Sequence, residues 1–300
     1  MGSLHGRHVL VTGVTGFVGQ ILAAQLREHG ARVSGVATQA TPVEGVDVRE
    51  HDLRRHPLDI DGVDDVVHLA GLAAVGPSFD DPQLYISANS AMMTNVGEPI
   101  LNSSQDCRVL VVSSGAVYGA GDVSPLAEDA ALSFGSPYAV SKVLVENQAA
   151  YYRERGLPMT VARPFNHIGP GQREGFIVPD LAQKLCDLEP GEVLRAGSLD
   201  AQRDYTDVRD VAAAYVRLLE CDTPRHAVYN VASGVSRSGW DVLDQLVEVL
   251  GIPRPEVEIA EVRALDPSVV TGDATRLREE TSWVPEIEFE TSISDFVASM

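Results

Sequence analysis

The chain of 300 residues is poor in cysteine, in long apolar runs and in positive charge. Its three cysteines, Cys107, Cys186 and Cys221, are scattered, odd in number and free of C-x-x-C or Cys/His ligand spacing. That argues against a disulfide scaffold and against a metal site, and for a reducing, cytoplasmic setting. Cys107, just ahead of RVLVVSS, is expected to pack at a strand entry. Apolar runs such as VLVV at 109–112 have strand length and fall far short of a membrane span. No charged n-region followed by an apolar h-region opens the chain, so neither a signal peptide nor a membrane partner is expected. Lysine and arginine together number 23 against 43 acidic residues, a formal charge of −20. Such a balance argues against nucleic-acid partners and anionic membrane surfaces. Internal repeats, low-complexity tracts and flexible linkers are missing as well. What remains is an ordinary globular composition, 44% hydrophobic, of a length that suits one large α/β domain or one domain with a smaller lobe.

The first half of the chain alternates in period. Strand patterns at 8–14, 31–37, 46–53, 64–71, 108–114 and 158–166 are separated by helical patterns at 16–29, 82–101 and 136–156. The last of these opens on Ser-Pro and stops at Gly156. Strands alternating with helices imply a parallel sheet covered on both faces. The second half is more irregular, with Pro/Gly-rich stretches at 169–176 and 188–194. Helices are expected at about 178–188, 207–220, 238–252 and 290–299, and a further strand at 226–233. With no linker between the halves, the C-terminal material reads as a small lobe packed on the edge of the sheet.

Two features carry chemistry. In TGVTGFVG (12–19), Gly13, Gly16 and Gly19 sit between a buried strand and a helix. Glycine there permits a tight turn and close approach of a pyrophosphate to the helix N-terminus, the arrangement of a dinucleotide site. The same glycines could instead serve only to pack the helix on the strand. In SPYAVSK, Tyr138 and Lys142 are one helical turn apart and share a face. A lysine ammonium beside a phenol is expected to lower the phenol's pKa and make it a proton donor and acceptor at a carbonyl. Ser114, upstream in VVSSGAVYG, could hold the same oxygen. Together with a dinucleotide, the three would form a hydride-transfer site. Cofactor choice stays open: VATQA (36–40) after the second strand has neither an acid, as NAD sites usually carry, nor an arginine suited to NADP. Arg32 and Arg49 are possible partners for a phosphate. Asp52 of HDL could take the adenine amino group, or simply start a loop.

The motifs TGVTGFVG (12–19), HLAG (68–71), VVSSGAVYG (111–119), SPYAVSK (136–142) and RPFN (163–166) stand in one order along the chain. In this the chain resembles the extended short-chain dehydrogenase/reductase family of nucleotide-sugar enzymes. The resemblance implies a Rossmann-type, doubly wound parallel α/β sheet with a smaller C-terminal substrate-binding lobe. Residues 1–165 would form the dinucleotide-binding domain, with a segment returning near 207–233, and 166–206 with 234–300 the nucleotide-sugar lobe. It also implies an NAD(P)H cofactor held by Gly13, Thr15, Gly16, Phe17, Val18, Gly19, Asp52 and Leu53, by Leu69, Ala70, Gly71 and Asn89, and by Tyr138, Lys142 and Pro164. Ser114, Tyr138 and Lys142 match the family's catalytic residues. Ser114, Asn166, Arg203, Arg263 and Asp266 match positions that bind the nucleoside diphosphate sugar. Guanidinium forks suit phosphate oxygens and would hold a diphosphate against the acidic background. For Arg203, an internal salt bridge to Asp204 or Asp207 is the alternative.

RPFNHIGPGQ (163–172) and AGSLDAQRDYTDVRDVAAAY (196–215) are similar to the branch of the family that reduces GDP-4-keto-6-deoxyhexoses. The related dehydratases carry an acid directly after the active-site Ser/Thr, whereas this chain has Gly115 and Ala116. No cysteine–histidine pair suited to epimerisation at C3 and C5 stands out. A 4-ketoreductase is therefore expected, with a 4-epimerase as the alternative and a non-catalytic dinucleotide-binding module as a remote one. The resemblance further implies a homodimer through the helices near 82–101 and 136–156. The second carries Val140, Val143, Leu144 and Ala150.

Overall fold

The computed structural model describes residues 2–103, 105–119, 125–189, 191–259 and 269–300. Strands β1 (His8–Thr12), β2 (Arg32–Ala37), β3 (Asp47–Glu50), β4 (Asp65–His68), β5 (Arg108–Val112) and β6 (Met159–Pro164) alternate with helices α1 (Phe17–Glu28), α2 (Val75–Ser78), α3 (Pro82–Leu101) and α4 (Pro137–Glu154). The chain then leaves the sheet through β7 (Asn166–Ile168), α5 (Ile177–Asp187), β8 (Leu194–Ala196) and β9 (Gln202–Asp207). Helix α6 (Val208–Leu219) brings it back to β10 (Val228–Val231). The remainder is β11 (Ser236–Ser238), α7 (Gly239–Leu250), β12 (Val257–Ile259), β13 (Val269–Val270), α8 (Thr275–Thr281) and α9 (Phe289–Ala298).

Seven strands pair in the order β3-β2-β1-β4-β5-β6-β10, all parallel. Every residue of β1 is buried, because both faces of the sheet are covered. Val9 and Val11 pack with Leu22, Leu26, Val211 and Tyr215 of α1 and α6 on one face. Leu10 points the other way, into a core shared with Met93, Val96 and Tyr152 of α3 and α4. This is the Rossmann-type doubly wound arrangement. The chain reverses its direction of travel across the sheet between β1 and β4, which opens a crevice at the strands' C-terminal ends.

The Ser-Pro start read in the sequence for α4 and the closing glycine of α7 act as expected, and the structure adds further caps. Ser136 caps α4 by accepting from Ala139 N at 3.1 Å, with Pro137 as its first residue. Asp81 caps α3 in the same way, and Ser238 with Asp241 forms a capping box on α7, which ends at left-handed Gly251. Outside the sheet, β9 pairs antiparallel with β11 and parallel with β13 and β7. β8 and β12 pair separately. Helices α5, α7 and α9 cover a third apolar core containing Leu181, Leu243, Leu246, Ile293 and Phe296. These strands and α8 were not anticipated: five of the strands have only two or three residues and carry no readable period, and β9 and α8 are six and seven residues long. Among the described residues, no helix is long and apolar enough to cross a membrane.

Candidate active site

The glycine turn lies between β1 and α1 at the crevice. Gly13 has φ +71°, and a Cβ there would stand 3.1 Å from the backbone of Ala70 at the end of β4. At Gly19 a Cβ would meet the Gly13 carbonyl at 2.4 Å, so the first turn of α1 rests directly on the strand exit. The cap residue Gly16 offers no side-chain hydrogen bond to the helix, which leaves the N-terminal amides of α1 to other acceptors. This turn, which a side chain at Gly13 would press against the Ala70 backbone, fits a pyrophosphate at the helix N-terminus. Thr15 lies in the turn, and Phe17 and Val18 open α1. Leu69, Ala70 and Gly71 leave β4 opposite it, and the Ala70 amide donates to Thr12 Oγ1 at 3.1 Å. Pro164 ends β6 level with Val231.

Ser114 follows the end of β5 and caps a single 3-10 turn, accepting from Ala116 N at 3.1 Å. Tyr138 and Lys142 are buried on the first turns of α4. Ser114 lies beside the Tyr138 phenol, near enough to act on its ionisation, so the sheet exit and the helix start converge there. Lys142 Nζ donates to the Val112 carbonyl at 3.0 Å and stands 6.0 Å from the centre of the Tyr138 ring. Asn89 of α3 holds the loop after β4, exchanging hydrogen bonds with Leu72 and donating to Ser141 Oγ at 2.9 Å. A Cβ on Gly71 would lie 3.3 Å from Asn89 Oδ1 and 3.4 Å from Lys142 Nζ, so these groups share one small space.

The electrostatics correct one expectation. Burial raises the Tyr138 phenol above its ordinary value, and Ser114 only opposes that rise. The lowering expected from Lys142 is not found, because a phenolate here loses its water and the ammonium is directed to a carbonyl. Burial draws Lys142 itself down to about 8, with Glu146 acting in the opposite sense. His68, beneath the site, is pulled down to about 3 by burial and then by Lys142, and its Nδ1 meets Thr12 Oγ1 at 2.9 Å. It is therefore a neutral packing residue at physiological pH.

The end of β2 is neutral and exposed at Thr38 and Gln39. Arg32 begins β2, level with His8, at the far end of the strand from the glycine turn. Arg49 is level with Val36 and bonds Asp59 at 3.0 Å. Asp52 accepts from Arg54 at 2.8 and 2.9 Å, which holds its carboxyl down to about 2. Leu53 is buried, and its carbonyl accepts from Asn95 Nδ2 at 2.8 Å.

Among the expected sugar-binding positions, Asn166 begins β7 opposite Tyr205, two residues beyond Arg203 on β9. The two are thus brought onto adjoining strands. Asp204 accepts from Ser233 N and Oγ, Gly234 N and Gly272 N. Asp207 forks onto Arg209 at 2.9 and 2.8 Å. Arg263 and Asp266 lie outside the described residues.

Further neighbours of the site have contacts that the sequence did not show. His167 stacks on Phe17 with ring centres 6.0 Å apart, joining β7 to the glycine turn. The Phe165 ring would touch a Cβ on Gly115 at 3.0 Å. Ser113 and Arg163 both bond Glu146, one helical turn beyond Lys142. Only that spacing of Glu146 was visible in the sequence, since its partners come from β5 and β6.

Comparison with known proteins agrees with this architecture. The family model described as "NAD dependent epimerase/dehydratase family" matches residues 9–232. GDP-6-deoxy-D-mannose reductase of Pseudomonas aeruginosa is 34% identical over 96% of this chain and 95% of its own. UDP-glucose 4-epimerase of Corynebacterium glutamicum is 29% identical over 96% and 94%. The structure of RMD from Pseudomonas aeruginosa complexed with NADPH superposes with a TM-score of 0.83 at 30% identity, covering 98% of each chain. The chain therefore belongs to the NAD-dependent epimerase/dehydratase family of extended short-chain dehydrogenases/reductases and is an NAD(P)-dependent oxidoreductase or epimerase-type enzyme.

Proposed function

We propose that this protein reduces the 4-keto group of a GDP-4-keto-6-deoxyhexose to a GDP-6-deoxyhexose such as GDP-D-rhamnose. The observation that carries the reading is the convergence of Ser114 on Tyr138 beside Lys142, with glycine at 115 where a dehydratase would need a carboxylate. The Phe165 ring, 3.0 Å from a Cβ at that position, leaves an acidic side chain little room. The reductase of Pseudomonas aeruginosa, 34% identical over nearly the whole chain, supports the same reaction.

In this reading the bound reduced nicotinamide supplies the hydride. The chain's residues manage the oxygen. Tyr138, kept in its acid form by burial, donates its proton to the oxygen at sugar C4 as charge develops there. Ser114 hydrogen-bonds that oxygen and fixes its direction. Lys142, an ammonium at neutral pH, supplies positive charge on the same side and would hold the cofactor ribose. Asn166 and Arg203 would hold the diphosphate, together with Arg263 and Asp266. The three thiols, none in a disulfide, suit a reducing cytoplasm. The homodimer belongs to this reading as well. Helices α3 and α4 pack side by side and leave Leu84 and Tyr151 exposed, although Val143 is buried within its own chain.

The test is loss of reduced-nicotinamide absorbance when GDP-4-keto-6-deoxy-D-mannose is mixed with enzyme and NADPH, then with NADH. Stoichiometric loss is expected, and the faster cofactor reveals what the neutral Thr38–Gln39 end prefers. No loss with either leaves the second reading, a 4-epimerase, which the 29% identical UDP-glucose 4-epimerase favours. An epimerase regenerates its NAD and would retain it through desalting.

A further inference from the structure

Helix α4 meets the exit of β5 through more than Tyr138 and Lys142. Three residues at successive one-turn intervals on α4 meet three consecutive residues: Val112, the last of β5, and Ser113 and Ser114 beyond it. Tyr138 meets Ser114, Lys142 Nζ donates to the Val112 carbonyl at 3.0 Å, and Glu146 Oε1 accepts from Ser113 Oγ at 2.5 Å. The third contact is anchored from behind. Arg163 of β6 donates to both Glu146 oxygens at 2.9 and 2.6 Å, with the side chains only 5% and 9% exposed. Arg163 is held in turn by Tyr118 Oη at 2.7 Å and the Glu128 carbonyl at 3.0 Å. A bidentate pair this dry is geometrically stiff.

We infer that Glu146 is a positioning residue of the active site: by tying Ser113 to Arg163 it fixes the segment Val112–Ser114, and with it the carbonyl that holds Lys142 and the hydroxyl that meets Tyr138. This rests on the reading of Ser114, Tyr138 and Lys142 as the reacting site. The carboxylate has a second effect. Lys142 is faced by His68 of β4, which is neutral, by Asn89 of α3, by the Val112 carbonyl of β5 and by Tyr138 on its own helix. Glu146 is the carboxylate that opposes the loss of the Lys142 proton.

The experiment exploits a feature of composition: the chain has two lysines, Lys142 and Lys184. NMR of isotope-labelled lysine therefore follows the Lys142 ammonium directly, without substrate, with the exposed Lys184 as reference. Glu146→Gln keeps the shape and removes the charge. Its Lys142 midpoint is expected to fall by roughly one pH unit. The alkaline limb of kcat should move down with it, while KM for the nucleotide sugar holds within about twofold, an outcome that a merely structural role does not produce. An unmoved Lys142 midpoint in folded Glu146→Gln overturns the proposal. If that variant does not fold, Ser113→Ala decides. Loss of the charge-assisted bond should make amide exchange across 112–116 about tenfold faster, and unchanged exchange there overturns the proposal. Wild-type protein that titrates as described but does not turn over the ketosugar overturns the reaction assigned above and leaves the role of Glu146 standing.

Discussion

At the scale of single residues, the site separates two duties that a lysine beside a tyrosine is usually taken to share. Lys142 is fully enclosed, spends a hydrogen bond on the Val112 carbonyl and keeps a pKa of about 8, so it is a fixed positive charge near neutrality. Tyr138 is buried and held protonated, so it is poised to give a proton and not to take one. Tyr138→Phe removes that proton while leaving the ring in its packing. Its kcat is expected to fall by roughly 10²–10⁴-fold, with nucleotide-sugar affinity from calorimetry within a few-fold of wild type. Turnover close to wild type would remove Tyr138 from the reaction. The identity of Ser114, Tyr138 and Lys142 as candidates was legible because all three lie in short motifs. Their ionisation was not, because it depends on what surrounds each group. Lowering by Lys142 was the expectation, whereas burial dominates the phenol's ionisation and only Ser114 opposes it.

At the scale of elements, the junction of β1 with α1 shows how a sequence signal and a tertiary constraint coincide. Gly19 faces the Gly13 and Val14 carbonyls, where a Cβ would stand at 2.4 and 2.7 Å. No rotamer relieves a clash between a Cβ and backbone. Gly19→Ala should destabilise the protein by about 1–3 kcal/mol through displacement of α1, read as a lower urea midpoint, and should weaken dinucleotide binding in the same variant. A midpoint and a cofactor affinity both equal to wild type would show that α1 does not rest on the turn. Helix limits were similarly open to inspection, because Ser136-Pro137 and Gly251 act within their own turn of chain. The strands β7, β8, β9, β11, β12 and β13 were not. Asn166 is set opposite Tyr205, and Ser236 opposite Asp204, by pairings that reach across tens of residues. Phe17 finds His167 in the same manner. Nothing in either segment alone announces the other.

At the scale of the whole molecule, the buried histidine beneath the site links folding to acidity. His68 has a native pKa near 3 against 6.5 when exposed. Between those values the unfolded chain binds a proton that the folded chain does not. The stability tied to this residue is complete above pH 6.5 and is lost as pH falls toward 3, at roughly 1.4 kcal/mol per pH unit. Urea unfolding at steps from pH 7.5 to 4.5 should show that slope, and His68→Asn should reduce it by about one proton. An identical slope in the variant would mean that other groups, such as His167, carry the acid sensitivity.

The class of fold, the order of strands and helices in the first half, the glycine turn and the three candidate reacting residues were legible from the residues alone. Each of these is written in a local period, cap or motif, and local geometry needs only neighbouring residues. Tertiary structure decided which charges are stripped of water, that Tyr138 is raised and Lys142 lowered, and that Arg32 lies at the wrong end of its strand for a cofactor phosphate. It also decided that Glu146, Ser113 and Arg163 meet behind the site. Desolvation and long-range pairing depend on what the rest of the chain brings near, and that is fixed only when the chain has folded.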